Sequence, residues 1–317
     1  MTDSATAATE PWSIHREHGI AGTRDRIATH LVGRERELEL ALAAVAAGRD
    51  LILEGPPGTS KTTLLKAITR EWGIPLMFVE GNADLTPAKL VGHHNPARVL
   101  REDYGPDNFV AGPLARAMLE GGFLYIEEFN RAPEDSLNTL LSAMADRQLE
   151  IPRVGTVVAL ATFRVVASMN PYDNVGTTRL STSVSDRLNR IVVDYQDGAA
   201  EKAIVALRSG LSGALPDRAV SDAVAVTRAT RMHPDVRQGS SVRGAIDCAL
   251  VLNQLTALRG MERADDERYP EAMFDAMSVS LSGRIRLDEA AEATPEKVLR
   301  EIWGDHFVLD PARAEPG

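Results

Sequence analysis

The chain has 317 residues, 44% of them hydrophobic and 25% charged, with one cysteine and a formal net charge of −10. That length can bury a large core with room for two domains, and one cysteine excludes a disulfide framework. The acidic balance argues against tight sequence-independent nucleic-acid binding, which needs a basic surface, and no apolar run approaches the roughly 20 residues that span a bilayer.

The N-terminus, Met1 to Trp12, carries Asp and Glu and lacks a basic start and an apolar core, so it is not a secretory signal. Residues 1–26 are expected to be a disordered extension. A helix over Gly33–Ala47, with Leu38, Leu40, Leu42 and Val45, precedes an apolar strand, Leu51-Ile52-Leu53. Next comes Gly55-Pro56-Pro57-Gly58-Thr59-Ser60-Lys61-Thr62, leading into a helical pattern from Thr62 to Trp72. Strand, glycine-rich turn and helix together make the layout of a phosphate-binding loop. Gly55 and Gly58 let the backbone N–H groups turn inward, and the helix presents its positive end to the same anion. Lys61 is expected to reach the β- and γ-phosphates of ATP, and the Thr62 hydroxyl to ligate Mg²⁺. Gly55, Pro56, Pro57, Gly58, Thr59, Ser60, Lys61, Thr62 and Thr63 are the expected nucleotide contacts. One position departs from G-x-x-x-x-G-K-[ST]. Its second glycine is Ser60, which lacks glycine's freedom at positive φ.

Downstream, Phe123-Leu124-Tyr125-Ile126 ends in Glu127-Glu128. An apolar run without alternation suits a strand buried on both faces of a parallel sheet, and ligand chemistry in such sheets gathers at the carboxyl ends of strands. Glu127 is expected to hold hydrated Mg²⁺, although Asp is usual there and Glu adds a methylene. Glu128 is expected to polarise the attacking water. Residues Gln148 to Thr162 read as a hairpin turning at Arg153-Val154-Gly155. A third strand, Phe163 to Met169, ends at Asn170, placed to touch the γ-phosphate or orient water; an Asn-Pro pair also simply stops strands. Arg187, just before the strand Ile191-Val192-Val193, is expected to act as an arginine finger on a neighbouring subunit, with Arg190 and Arg179 as alternatives. The plainer reading of Arg187 is a surface salt bridge with Asp186 or Asp194. From Gly198 onward the pattern is helical and strand signals vanish. Helices are expected over Ala199–Ser209, Asp217–Thr230, Val242–Leu258, Glu271–Ser280 and Pro295–Trp303, with Arg243 on a lid above the nucleotide and Cys248 as a small buried hydrophobe. Adjacent His93 and His94 diverge and show no third ligand, so no metal site is read there.

Taken together, the loop, the Glu-Glu strand end, Asn170, Arg187 and Arg243 resemble the MoxR branch of the AAA+ ATPases. The block Glu127-Glu128-Phe129-Asn130-Arg131-Ala132-Pro133 and the following Leu137-Asn138-Thr139-Leu140-Leu141 are especially similar to it. The resemblance covers roughly residues 30 to 305. It implies an α/β P-loop NTPase fold, with a parallel-sheet αβα core, hairpin inserts and a C-terminal α-helical lid. Residues 91–113 then become an inserted hairpin, and both inserts face a ring's pore. The implied domains are 27–197 for the nucleotide-binding core and 198–309 for the lid, with 310–317 a flexible tail. The implied protein is a cytoplasmic, Mg²⁺-dependent ATPase in a homo-oligomeric ring, a hexamer. It remodels or activates a client, with a von Willebrand factor A-domain protein as partner, in metalloenzyme maturation or complex assembly. Alternatives are a gas-vesicle assembly ATPase of the GvpN kind, a DNA-processing motor resembling McrB, and a nucleotide-binding scaffold with little turnover.

Overall fold

The computed structural model describes residues 15–99, 105–171, 180–263 and 265–308. Its chain divides into two units, Met1–Pro56 with Ser60–Asp194, and Pro57–Thr59 with Tyr195–Gly317. In the first, the strands are β1 (Leu51–Glu54), β2 (Leu76–Glu80), β3 (Gly92–His94), β4 (Phe109–Ala111), β5 (Phe123–Glu127), β6 (Gln148–Ile151), β7 (Gly155–Val158), β8 (Arg164–Met169) and β9 (Asn189–Val192). Its helices are α1 (His15–Ala28), α2 (Glu35–Ala46), α3 (Lys61–Glu71), α4 (Pro87–Val91), α5 (Pro96–Val99), α6 (Pro113–Glu120), α7 (Glu134–Asp146) and α8 (Thr182–Arg187).

Five strands form one sheet in the order β2-β5-β8-β1-β9, and every pairing within it is parallel. Successive side chains on a strand point to opposite faces, and here both faces are apolar. Leu51, Leu53, Phe123 and Tyr125 pack with Leu38 and Leu42 of α2 and Leu64 and Ile68 of α3. Ile52, Leu124 and Ile126 pack with Leu114 and Met118 of α6 and Leu137 and Leu140 of α7. The result is a three-layer α/β/α sandwich. Fully burying each such Leu or Phe contributes about 1.5–3 kcal/mol, which is why β5 tolerates no charged residue before Glu127. Two antiparallel hairpins extend from this core. β3 pairs with β4, Gly92 opposite Ala111, and β6 pairs with β7, Gln148 opposite Val158.

Two expectations need correcting. Residues 15–26 belong to helix α1, not to a disordered lead-in. Ile27 and the following Leu31 are each 4% exposed, and Trp72 Nε1 donates to Thr23 Oγ1 at 3.2 Å. The remaining lead-in, residues 1–14, and the tail 310–317 lie outside the described residues. Strand structure also does not vanish after Gly198. The second unit contains β10 (Val236–Gln238) and β11 (Arg286–Leu287), paired antiparallel. Strands of two or three residues are too short to show alternation.

Otherwise the second unit is helical, with α9 (Gly198–Ser209), α10 (Ala214–Ala229), α11 (Val242–Leu258), α12 (Tyr269–Leu281) and α13 (Pro295–Phe307) around their own core. Asp222, 1% exposed, accepts from Tyr269 O–H at 3.0 Å and also meets Arg218 and His306, as a buried charge requires. Cys248 lies fully buried in this core, where burial pushes its thiol up to about 12.

Candidate active site

Glu54 ends β1, and the chain turns directly into Gly55. A Cβ there would lie 2.0 Å from the Val193 carbonyl oxygen, so only glycine lets the loop leave the sheet on this path. The loop then uses positive φ at Gly58 (75°) and at Ser60 (68°, ψ 17°). Ser60 therefore adopts the left-handed conformation that the usual glycine would take, at a cost of about 1 kcal/mol. Helix α3 starts at the next residue. Lys61 Nζ donates to the carbonyl oxygens of Gly55 (2.8 Å) and Pro56 (2.7 Å), folding its ammonium back across the loop mouth.

One residue further, Thr62 Oγ1 donates to Glu127 Oε1 at 2.8 Å. The hydroxyl and carboxylate expected to share a cation thus already meet. Both are hard oxygen donors of the kind Mg²⁺ selects, so the residues present fit that ion. Tyr125 lies two residues before Glu127 on the same face of β5. Its hydroxyl is 3.0 Å from Thr62 Oγ1 and 2.9 Å from Ser168 Oγ of β8. Burial raises the Tyr125 phenol above its ordinary value, so it stays a neutral donor.

Glu128 takes the left-handed conformation (φ 53°, ψ 43°). Its carboxylate pairs with Arg131 at 2.8 Å across the 3₁₀ turn Phe129–Arg131. Gly81 permits this corner: its N–H donates to Glu127 O at 2.7 Å, and a Cβ would meet Glu128 O at 2.3 Å. Asn170 follows β8, and its backbone oxygen accepts from Asn130 Nδ2 at 3.4 Å. The loop, Asn170 and Glu127-Glu128 thus sit at the carboxyl ends of three consecutive strands, β1, β8 and β5.

Residues 50–188 match the family described as AAA domain (dynein-related subfamily). The chain carries an AAA+ ATPase domain. As such it binds and hydrolyses ATP. It is 28% identical over 278 residues to the gas vesicle ATPase GvpN of Ancylobacter aquaticus, covering 82% of this chain and 74% of that protein. To the uncharacterized protein YojN of Bacillus subtilis it is 29% identical over 243 residues, covering 74% of this chain and 78% of that protein. The Holliday junction branch migration motor RuvB of Thermotoga maritima shares the fold, with TM-score 0.51, 19% identity, and coverage of 81% of this chain and 72% of that one.

Arg187 stands elsewhere in the AAA+ domain. It ends α8, two residues before Asn189, whose register partner is Leu51 at the start of β1. The phosphate loop follows the other end of β1. At about 3.3 Å per residue, the four-residue strand separates the two by about 13 Å. Arg187 is exposed and donates to its own helix at Ser183 O, 3.0 Å away; no salt bridge to Asp186 or Asp194 forms. Arg190 is committed otherwise, gripping Glu54 with two bonds of 2.5 and 2.7 Å. Arg179, the other alternative finger, lies outside the described residues. Arg243, exposed, is the second residue of α11 in the second unit.

Tyr125, Ser168 and Arg131 carry no role in the sequence reading. Tyr125 was detectable, because a residue two before Glu127 must share its face. Arg131 was detectable as the position three after Glu128 in a tight turn. Ser168 has no signal short of the register between β5 and β8. Arg164, at the start of β8, is 3% exposed and also carries no role in the sequence reading.

Proposed function

We propose that this chain is a MoxR-type AAA+ ATPase that works as a ring of identical subunits, a hexamer, and uses ATP hydrolysis to remodel or activate a client protein. The observation that carries the ring is the separation of Arg187 from its own loop by the length of β1. An arginine there serves catalysis only when a second copy brings its ATP alongside. At the loop, Lys61 exchanges the carbonyls of Gly55 and Pro56 for the β- and γ-phosphates, a stronger charge-assisted contact. Thr62 and Glu127 would hold Mg²⁺, which would supply neutralising charge for the phosphates. Glu128 orients and deprotonates the attacking water, once its carboxylate leaves Arg131. Asn170 positions the γ-phosphate or that water, and Arg243 contacts the nucleotide from the lid.

The hairpins β3–β4 and β6–β7 are the surfaces proposed to touch a client, with a von Willebrand factor A-domain protein as adaptor and metalloenzyme maturation or complex assembly as outcome. No helix among the described residues is long and apolar enough to cross a membrane, in keeping with work in the cytoplasm. A second reading, assembly of gas vesicles, is favoured by the similarity to GvpN along 82% of the chain. One experiment separates them. Tagged Glu128→Gln protein, held in ATP, is recovered from its source cell and its companions are identified by mass spectrometry. A von Willebrand A-domain protein supports the remodelling reading, vesicle proteins select the second, and nuclease-sensitive DNA with repair subunits overturns both.

A further inference from the structure

The amino edge of the sheet holds a cavity of about 530 Å³ whose lining includes Arg49, Arg147, Arg164 and Arg187, with Asp50 and Asp186. Four guanidinium groups face two carboxylates there, in a chain whose net charge is −10. None of the four forms a salt bridge among the described residues. Arg147 donates to Phe163 O at 2.7 Å and lies 5.1 Å over the Phe163 ring. Arg164 donates to Ala161 O (2.7 Å) and Phe163 O (2.6 Å), and its Nε has no partner although the residue is 3% exposed. Arg49 is exposed, and its side chain makes no hydrogen bond with a described residue. Asp50 spends one carboxylate oxygen on the Val165 N–H at 2.7 Å, and burial raises it toward its neutral form. Burial and the neighbouring Arg147 press the Arg164 guanidinium down to about 10.

Carbonyl oxygens satisfy N–H groups without cancelling charge, so these cations repel one another. Elsewhere the chain avoids this, as in the pairs Arg190–Glu54, Arg131–Glu128 and Arg228–Glu201. A cluster in which four arginines outnumber two carboxylates and form no salt bridge with them, beside a cavity, suits a multiply charged anion. We propose that Arg49 and Arg147 join Arg187 in receiving the terminal phosphates of ATP bound on a second copy of this chain, with Arg164 fixed behind them as permanent positive support. The proposal rests on the ring reading above and extends it from one arginine to a built half-site.

Mixed-subunit ATPase measurements test it. Arg49→Ala, Arg147→Gln and Arg187→Ala are each assayed alone and mixed with Lys61→Ala protein, which offers an intact arginine edge but no working loop. Each alone should turn over about tenfold more slowly or worse, with ATP affinity within about twofold of the parent. Mixing should restore activity, and Arg147→Lys, which keeps the charge, should recover turnover that Arg147→Gln loses. Retained ATP affinity reports that each variant is folded. If Arg187→Ala is impaired and rescued while Arg49→Ala and Arg147→Gln run at the parent rate, the enlarged site is wrong and the ring stands. If mixing rescues none of them, Arg187→Ala included, the ring reading itself fails. Inorganic tripolyphosphate is also titrated into Lys61→Ala protein. Saturable binding that Arg49→Ala abolishes, without rescue on mixing, would make the cavity a receptor for free phosphate anions and overturn the trans assignment.

Discussion

At the carboxyl edge of the sheet, Thr62 meets Glu127 at 2.8 Å and Glu128 is held by Arg131. At the amino edge, Arg187, Arg147 and Arg164 donate to carbonyl oxygens and form no salt bridge among the described residues. The strands are the same, yet one edge is finished within the chain and the other is not. Thr62 and Glu127 satisfy each other, and Lys61 folds onto the carbonyl oxygens of its own loop, so the carboxyl edge is assembled within one chain. The amino edge carries charge that only an incoming anion relieves. In the proposed ring, splitting the chemistry in this way would make hydrolysis, unlike ATP binding, depend on contact between subunits.

That contrast can be attacked from either edge. The largest effect is expected from Arg187→Ala, which should lower turnover about 10³-fold while leaving ATP affinity unchanged; steady-state assays with parallel nucleotide titration decide, and a loss of affinity would place Arg187 at its own loop. Glu128→Gln should slow hydrolysis by about 10²-fold or more, with ATP retained. Full activity in that variant would move the base elsewhere on the carboxyl edge. Lys61→Ala should weaken ATP binding by about 10²-fold, as expected for losing a charge-assisted phosphate contact; unchanged affinity in calorimetric titration would remove the loop from the site. Smallest is Ser60→Gly. It relieves a left-handed serine and should raise stability by about 1 kcal/mol, visible as a higher melting temperature. An unchanged or lower value would mean that Ser60 makes contacts worth its conformation.

Much of the carboxyl edge was legible because it is local in sequence. Gly55 to Thr62 is one continuous loop, and Glu127-Glu128 closes an apolar run whose lack of alternation announces a strand buried on both faces. The αβα core follows from the same runs, since Leu51 and Ile52 must face opposite layers. Ser60 shows how a departure from a motif is read: it signalled a cost at positive φ, and the backbone accepts that cost. The amino edge was not legible, because Arg49, Arg147, Arg164 and Arg187 are scattered over 139 residues of chain and only the register of β1, β8 and β9 gathers them. Helix α1 was hidden for a related reason. Its polar sequence gains order from Trp72 and the α2 face, not from its own pattern. The pair Arg190–Glu54 was equally invisible, because 136 residues separate its partners.

Cys248 has a practical consequence. It is the chain's one thiol, fully buried and with a proton that burial makes hard to remove, and maleimide dyes react with exposed thiolates. A cysteine introduced at an exposed position such as Leu207, 69% exposed and without a role at either edge, would therefore be the single labelled site in otherwise unaltered protein. Two populations carrying donor and acceptor dyes would then report subunit exchange by energy transfer, without first stripping out the native residue.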